Sequence, residues 1–269
     1  MTLQANHLSY SIHDKQILHE VSIQVKEQQF VGLIGPNGSG KSTLLKNLYR
    51  LLKPESGTVL LNEKDIFKQS SKIIAKSLAV VGQETPIVFD FQVRDLVSMG
   101  RTPHKKLFEI DHQKDVQIVK EALSQTGIAH LETRNFSSLS GGEKKRVMVA
   151  RALAQQANIL ILDEPTNHLD IQHQLQLMDL IQTLQLTVIA ALHDLNIAAM
   201  YCDQIYVLQH GRIVRYGTPE EVLTPELLRD VFSVYAEVQQ HPLTGKPHLT
   251  YISEQFLKAA QKETSSIII

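Results

Sequence analysis

The rhythm of apolar and polar positions changes several times along the chain, and each rhythm predicts a different element. Residues 21–25 alternate, with Val21, Ile23 and Val25 apolar between polar neighbours, as a half-buried strand does. Residues 57–62 form another strand candidate, bounded by Pro54 and Gly57. Residues 30–34, 159–162 and 187–192 are almost uniformly apolar, the mark of strands covered on both faces, and residues 78–82 are strand-like too. Helical spacing appears at residues 41–50, with Leu44, Leu45 and Leu48 on one side, and at 93–100, with Val93, Leu96 and Val97 apolar and Gly100 as its end. It recurs at 111–126, where Val116, Val119, Ala122 and Leu123 are expected to face inward and Gly127 to stop the helix. Further helices are expected at 144–156, 174–185 and 219–232, the last broken at Pro225. Residues 205–208 and 212–215 flank His210 and Gly211, a hairpin turn. A β-rich start, a helical stretch at about 93–137 and a return of strand–helix alternation predict an α/β fold.

Composition narrows the function. A chain of 269 residues can bury a large core. Its net charge is −1, with acids and bases mixed and no basic stripe, so there is no electrostatic case for nucleic acid. A single cysteine, Cys202, excludes an internal disulfide and a multi-cysteine zinc site. The first residues lack a signal-peptide pattern, and the apolar runs are shorter than a membrane span, so a cytoplasmic protein is expected, with any membrane role coming through a partner. His241 and His248 lie in a loop bearing proline and glycine that is expected to be solvated, and residues 262–269 are expected to fray.

The densest chemistry follows residues 30–34. Gly35, Pro36, Asn37, Gly38, Ser39, Gly40, Lys41, Ser42 and Thr43 contain the spacing of a phosphate-binding loop between a strand and a helix. The glycines let successive N–H groups turn on an anion at a helix N-terminus, Lys41 offers a point charge to β- and γ-phosphates, and Ser42 offers a hydroxyl to Mg²⁺. Asp163 and Glu164 end the run 159–162, at the carboxyl edge of a parallel sheet where α/β sites lie. Strand alternation sends their side chains apart, so one carboxylate can hold a metal while the other polarises water. Ser140 and Glu143 fit a capping box, and Gly141 and Gly142 allow a second anion to approach that helix start. His193 ends the run 187–192 on the same edge, and Gln83 ends 78–82 with an amide able to reach a metal or water.

Together these residues resemble the ATP-binding subunits of ABC transporters. Walker A lies at residues 35–42, the Q-loop at Gln83, the signature at 139–143, Walker B ends at Asp163 and Glu164, the D-loop spans 167–170 and the H-loop holds His193. Residues 99–104, 193–196, 217–223 and 241–247 are similar, more narrowly, to ATPases of importers for ferric siderophores, haem and cobalamin. The resemblance implies a P-loop NTPase core, a RecA-like mixed sheet with helices, carrying an N-terminal antiparallel β subdomain and an α-helical subdomain insert. The core is expected at 1–86 and 158–240, the helical subdomain at 87–157 and a C-terminal extension at 241–269. It further implies ATP and Mg²⁺ as cofactors, with Ser42, Asp163 and Gln83 around the metal, Glu164 as base, and His193 on the γ-phosphate. A head-to-tail homodimer is implied, in which Ser140, Gly141 and Gly142 of one copy close on the nucleotide of the other and Asp170 connects the two sites. Transmembrane permease subunits, gripped by the Gln83 loop and the helical subdomain, and an external substrate-binding protein complete the implied assembly, peripheral on the inner face of the membrane. The family usually stacks adenine on an aromatic residue; here that position falls at Ile12, with Tyr10 two residues earlier. An exporter subunit, a soluble ABC ATPase outside transport and a regulatory module without turnover are the alternatives at this stage.

Overall fold

The computed structural model describes residues 1–82, 90–106, 109–110 and 112–256; Gln83 and the tail expected to fray lie outside them. The first half runs β1 (Leu3–Ile12), β2 (Lys15–Val25), β3 (Phe30–Ile34), α1 (Lys41–Leu48), β4 (Ser56–Leu61), β5 (Lys64–Asp65), α2 (Ser71–Ser77) and β6 (Leu78–Val81). Three helices follow: α3 (Val93–Ser98), α4 (Gln113–Gln125) and α5 (Gly141–Ala154). Alternation then resumes with β7 (Ile159–Asp163), α6 (Ile171–Thr183), β8 (Thr187–Ala191), α7 (Leu195–Tyr201), β9 (Gln204–Gln209) and β10 (Arg212–Gly217). Last come α8 (Pro219–Val222), α9 (Pro225–Phe232), β11 (Tyr235–Gln240) and β12 (Pro247–Ile252).

The main sheet has the order β10-β9-β3-β8-β7-β6, parallel except for the antiparallel edge strand β10. Its apolar strands are split by the two-residue period. Phe30 and Ile34, Leu160 and Leu162, and Val188 and Ala190 enter one core, lined on its far side by α6, α7 and α9. Val31 and Leu33, Ile159 and Ile161, and Ile189 and Ala191 enter the other core, closed by α1 and the antiparallel sheet β2-β1-β4-β5. Leu44, Leu45 and Leu48 of α1 are fully buried there, each contributing about 1.5–3 kcal/mol of transfer free energy.

A third core joins α3, α4 and α5. Ile118 takes the inward place on α4 expected of Val116, which is 45% exposed. The chain also does not end its helical path at Gly100; it tightens into a 3-10 turn over Met99–His104. Gly100 is needed there because a Cβ would sit 2.2 Å from the Arg151 carbonyl oxygen. This turn closes the C-terminus of α5. Buried Arg101 donates to Asp115 at 2.8 Å and to the Ala154 carbonyl at 2.7 Å, while the His104 ring contacts the Gln155 carbonyl. Helix α5 is shared, with Val149 and Ala152 in the first core and Val147, Ala150 and Ala154 in the third.

The segment 241–248 is the end of a hairpin, not a loop alone. β11 and β12 pair antiparallel, and Ala236 and Leu249 enter the first core. The hairpin therefore straddles position 241, where the extension was expected to start. Its free edge is satisfied by one side chain: Asn196 accepts from the Leu249 N–H at 2.8 Å and donates to its carbonyl at 3.2 Å. Leu249 is 2% exposed, so Asn196→Ala would leave two buried backbone groups unpaired. A loss of about 1–3 kcal/mol in unfolding free energy is expected, read from urea titration. An unchanged midpoint would mean that the edge finds other partners.

Candidate functional site

Three neighbouring strands deliver the candidate groups to one edge of the sheet. Leu33 and Asp163 both stand in register with Ala191, so β3, β8 and β7 end side by side. The loop at residues 35–40 leaves β3, Glu164 follows β7 and His193 follows β8. Backbone bonds tie these exits together: Glu164 N–H to Ala191 O at 3.2 Å, and Leu192 N–H to Leu33 O at 3.0 Å.

The loop opens directly into α1, with Gly40 in a left-handed conformation at its N-cap. No side chain caps this helix, so its leading N–H groups stay available to an anion. At the other end of the loop, a Cβ on Gly35 would meet the Leu208 carbonyl oxygen at 2.0 Å. Lys41 is buried, and its ammonium donates to the carbonyls of Gly35 at 2.7 Å and Pro36 at 3.1 Å. Burial holds its pKa below the ordinary lysine value, against the pull of Glu164 and Asp163. The Ser39 hydroxyl oxygen is buried with no protein partner. A desolvated cation, an orphaned hydroxyl and free helix N–H groups form a cradle suited to phosphate oxygens.

Asp163 is the last residue of β7 and Glu164 lies in the turn after it, so the turn and not strand alternation separates the two carboxylates. Asp163 accepts from the Ser42 hydroxyl at 2.9 Å. Burial pushes its carboxyl above the usual aspartate value, with the Ser42 bond opposing. Glu164 adopts φ 53°, a left-handed conformation uncommon outside glycine. That turn aims its buried carboxylate at the His193 ring, 2.5 Å from Nε2, and Asn167 donates to the same carboxylate. The strain sits where the strand ends and the chemistry begins. The sequence places Ser39 in the phosphate-binding loop and Asn167 in the D-loop; the burial of the first and the bond of the second to Glu164 appear only in the fold.

Ser140 caps α5 in a full capping box. Its hydroxyl accepts from the Glu143 N–H, and Glu143 accepts from the Ser140 N–H at 2.8 Å, which holds the Glu143 carboxyl below its usual range. Gly141 and Gly142 are the first residues of the helix itself. Among the described residues, no hydrogen bond or ion pair joins 140–142 to 35–43. Asp170 caps α6. Ile12 ends β1 and is 45% exposed, whereas Tyr10 packs partly against the second core. No described helix is long and apolar enough to cross a membrane.

The sequence profile of the family described as ABC transporter matches residues 18–167. The chain is 40% identical over 264 residues to the cobalamin import ATP-binding protein BtuD of Halobacterium salinarum, covering 97% of this chain and 66% of that one. It is 40% identical over 255 residues to the iron(3+)-hydroxamate import ATP-binding protein FhuC of Bacillus subtilis, covering 93% of this chain and 95% of the relative. A solved structure described as a metal-chelate type ABC transporter in an inward-facing conformation superposes with a TM-score of 0.83 at 26% identity, over 95% of this chain and 99% of that one. The cradle at the sheet edge and these likenesses agree: the chain belongs to the ABC transporter family, as one of its nucleotide-binding ATPase subunits.

Proposed function

We propose that this subunit hydrolyses ATP to drive import of a metal chelate, of the ferric siderophore, haem or cobalamin class, through a permease at the cytoplasmic membrane. The observation that carries the ATPase half is the grouping of the Ser42–Asp163 and Glu164–His193 pairs around the cradle at residues 35–43. The cargo class is supported by likeness to ATP-binding proteins named for cobalamin and ferric hydroxamate import.

In this reading the loop N–H groups, Ser39 and Lys41 hold the β- and γ-phosphates. Ile12 packs on adenine without the stacking increment of an aromatic, about 0.5–1.5 kcal/mol. Ser42 and Asp163, with Gln83, would hold Mg²⁺, which neutralises charge on the phosphates when bound. The donor set fits. Mg²⁺ is commonly held by one or two carboxylates plus substrate phosphates, and no cluster of three or more His, Cys, Asp or Glu ligands occurs among the described residues. Its charge would relieve the desolvated Asp163 carboxylate. Glu164 takes a proton from, or orients, the attacking water. His193 and Asn167 fix that carboxylate, and His193 can also reach the γ-phosphate.

Ser140, Gly141 and Gly142 are unbonded to the cradle of their own chain, which suits a second copy bringing them to it in a two-fold pair. ATP then favours the closed pair, because only that state binds the γ-phosphate from both sides. Asp170 lies near the shared seam, and closure moves the permease through the Gln83 loop and the helical unit. Turnover per chain should rise with protein concentration and then saturate. A strictly monomeric chain working at full rate would exclude the paired site. In cells, loss of this subunit should abolish accumulation of one labelled chelate among ferric hydroxamate, haem and cobalamin; uptake of all three at normal rates would exclude the import reading.

A further inference from the structure

The seam-facing surface contains one more side chain with an unusual position. His173 lies in the first turn of α6, and both its backbone N–H and its ring Nδ1 bond a single oxygen, Asp170 Oδ1, at 2.9 and 2.7 Å. The backbone and the ring are thus each tied to that oxygen by one bond, the ring in a form that donates from Nδ1. These bonds keep the Asp170 carboxyl below its usual range. The held ring lies over Gly142 of α5. A Cβ on Gly142 would stand 2.7 Å from His173 Cδ2, 3.1 Å from Cγ and 3.4 Å from Nε2. Gly141, one residue earlier, has only Leu169 Cδ2 at 3.9 Å in the corresponding place.

The two glycines therefore differ. A Cβ on Gly141 would make one ordinary van der Waals contact, whereas a Cβ on Gly142 would collide with a side chain of its own molecule. Turning the ring aside would break its bond to Asp170. A second strut joins the same two helices on the next turn, Arg146 Nη2 to Gln176 Oε1 at 2.8 Å.

We propose that His173 is a positioning residue for ATP hydrolysis: by bonding Asp170 and lying against Gly142, it fixes the Ser140–Gly142 turn relative to Asp170. Helix α6 packs in the main core, while α5 also belongs to the helical core. The latch thus sets the orientation of the helical unit at the surface that a second copy meets. The inference rests on the paired-site reading above.

The test compares wild type, His173→Ala, His173→Asn, Gly142→Ala and the Gly142→Ala/His173→Ala double variant. His173→Ala should lower kcat for ATP roughly 3- to 10-fold with KM within about twofold, and His173→Asn, which keeps a flat donor towards Asp170, should recover most of the loss. Gly142→Ala should lower the thermal midpoint, and adding His173→Ala should restore it to that of His173→Ala alone. A double variant no more stable than Gly142→Ala, or a His173→Ala enzyme equal in turnover to wild type, overturns the proposal. Thermal midpoints separate it from its parent reading. The double variant should regain the midpoint whether or not the wild-type chain hydrolyses ATP; absence of that recovery counts against the latch, and absence of wild-type turnover counts against the parent reading alone.

Discussion

Glu164→Gln should reduce ATP turnover by roughly 10²–10⁴-fold while the subunit still takes up ATP and pairs on it. The expectation follows from where the carboxylate sits. It is buried, turned by a left-handed φ of 53° at the end of β7, and fixed between the His193 ring and the Asn167 amide. Glutamine matches its volume and can keep hydrogen bonds to both neighbours, so the cradle and Asp163 should be undisturbed. Only the capacity to accept a proton is removed. Phosphate release gives the rate, and gel filtration with ATP shows whether the variant is trapped as a pair. Near-normal hydrolysis would remove Glu164 from the role assigned to it. A variant that neither hydrolyses nor pairs would place the residue in nucleotide binding instead.

Lys41→Ala should act on the other half of the reaction, weakening nucleotide binding by about 10- to 150-fold. A hydrogen bond to a charged group contributes about 1.5–3 kcal/mol, and each 1.4 kcal/mol is tenfold in affinity. The ammonium is already desolvated at the sheet edge and satisfied by the carbonyls of Gly35 and Pro36. Exchanging those contacts for phosphate oxygens strengthens its interaction with the ligand's negative charge. Binding of a fluorescent ATP analogue measures the loss directly. The fold should survive, because α1 is held by Leu44, Leu45 and Leu48 in the second core. Unchanged affinity would mean that the backbone N–H groups suffice to hold the phosphates.

The legible parts of this site share a property: each is written within about ten consecutive residues. The loop at 35–43 shows in its glycine spacing because close backbone approach excludes Cβ atoms locally. The capping box at Ser140 and Glu143 shows because both partners lie in one turn. Asp163 was readable as the end of an apolar strand. The inward face of α4 was misread at Val116 because several rotations of a short apolar stripe satisfy the same spacing, and only the packing of α3 and α5 selects Ile118. The hairpin of β11 and β12 was missed because its strands are half polar and its turn at 241–246 reads as a loop.

Local sterics and period thus determined, from the sequence alone, the buried strands of the main sheet, most of the longer helices, and where an anion can be cradled. Folding in three dimensions decided which of these meet. The placing of β8 between β3 and β7 brings His193 against Glu164; the hairpin edge finds Asn196; His173 comes to lie on Gly142. These contacts join residues separated by tens of positions, where no spacing rule applies. Each is selected by the burial of two cores on opposite faces of one sheet, an energy that belongs to the whole chain and to none of its segments.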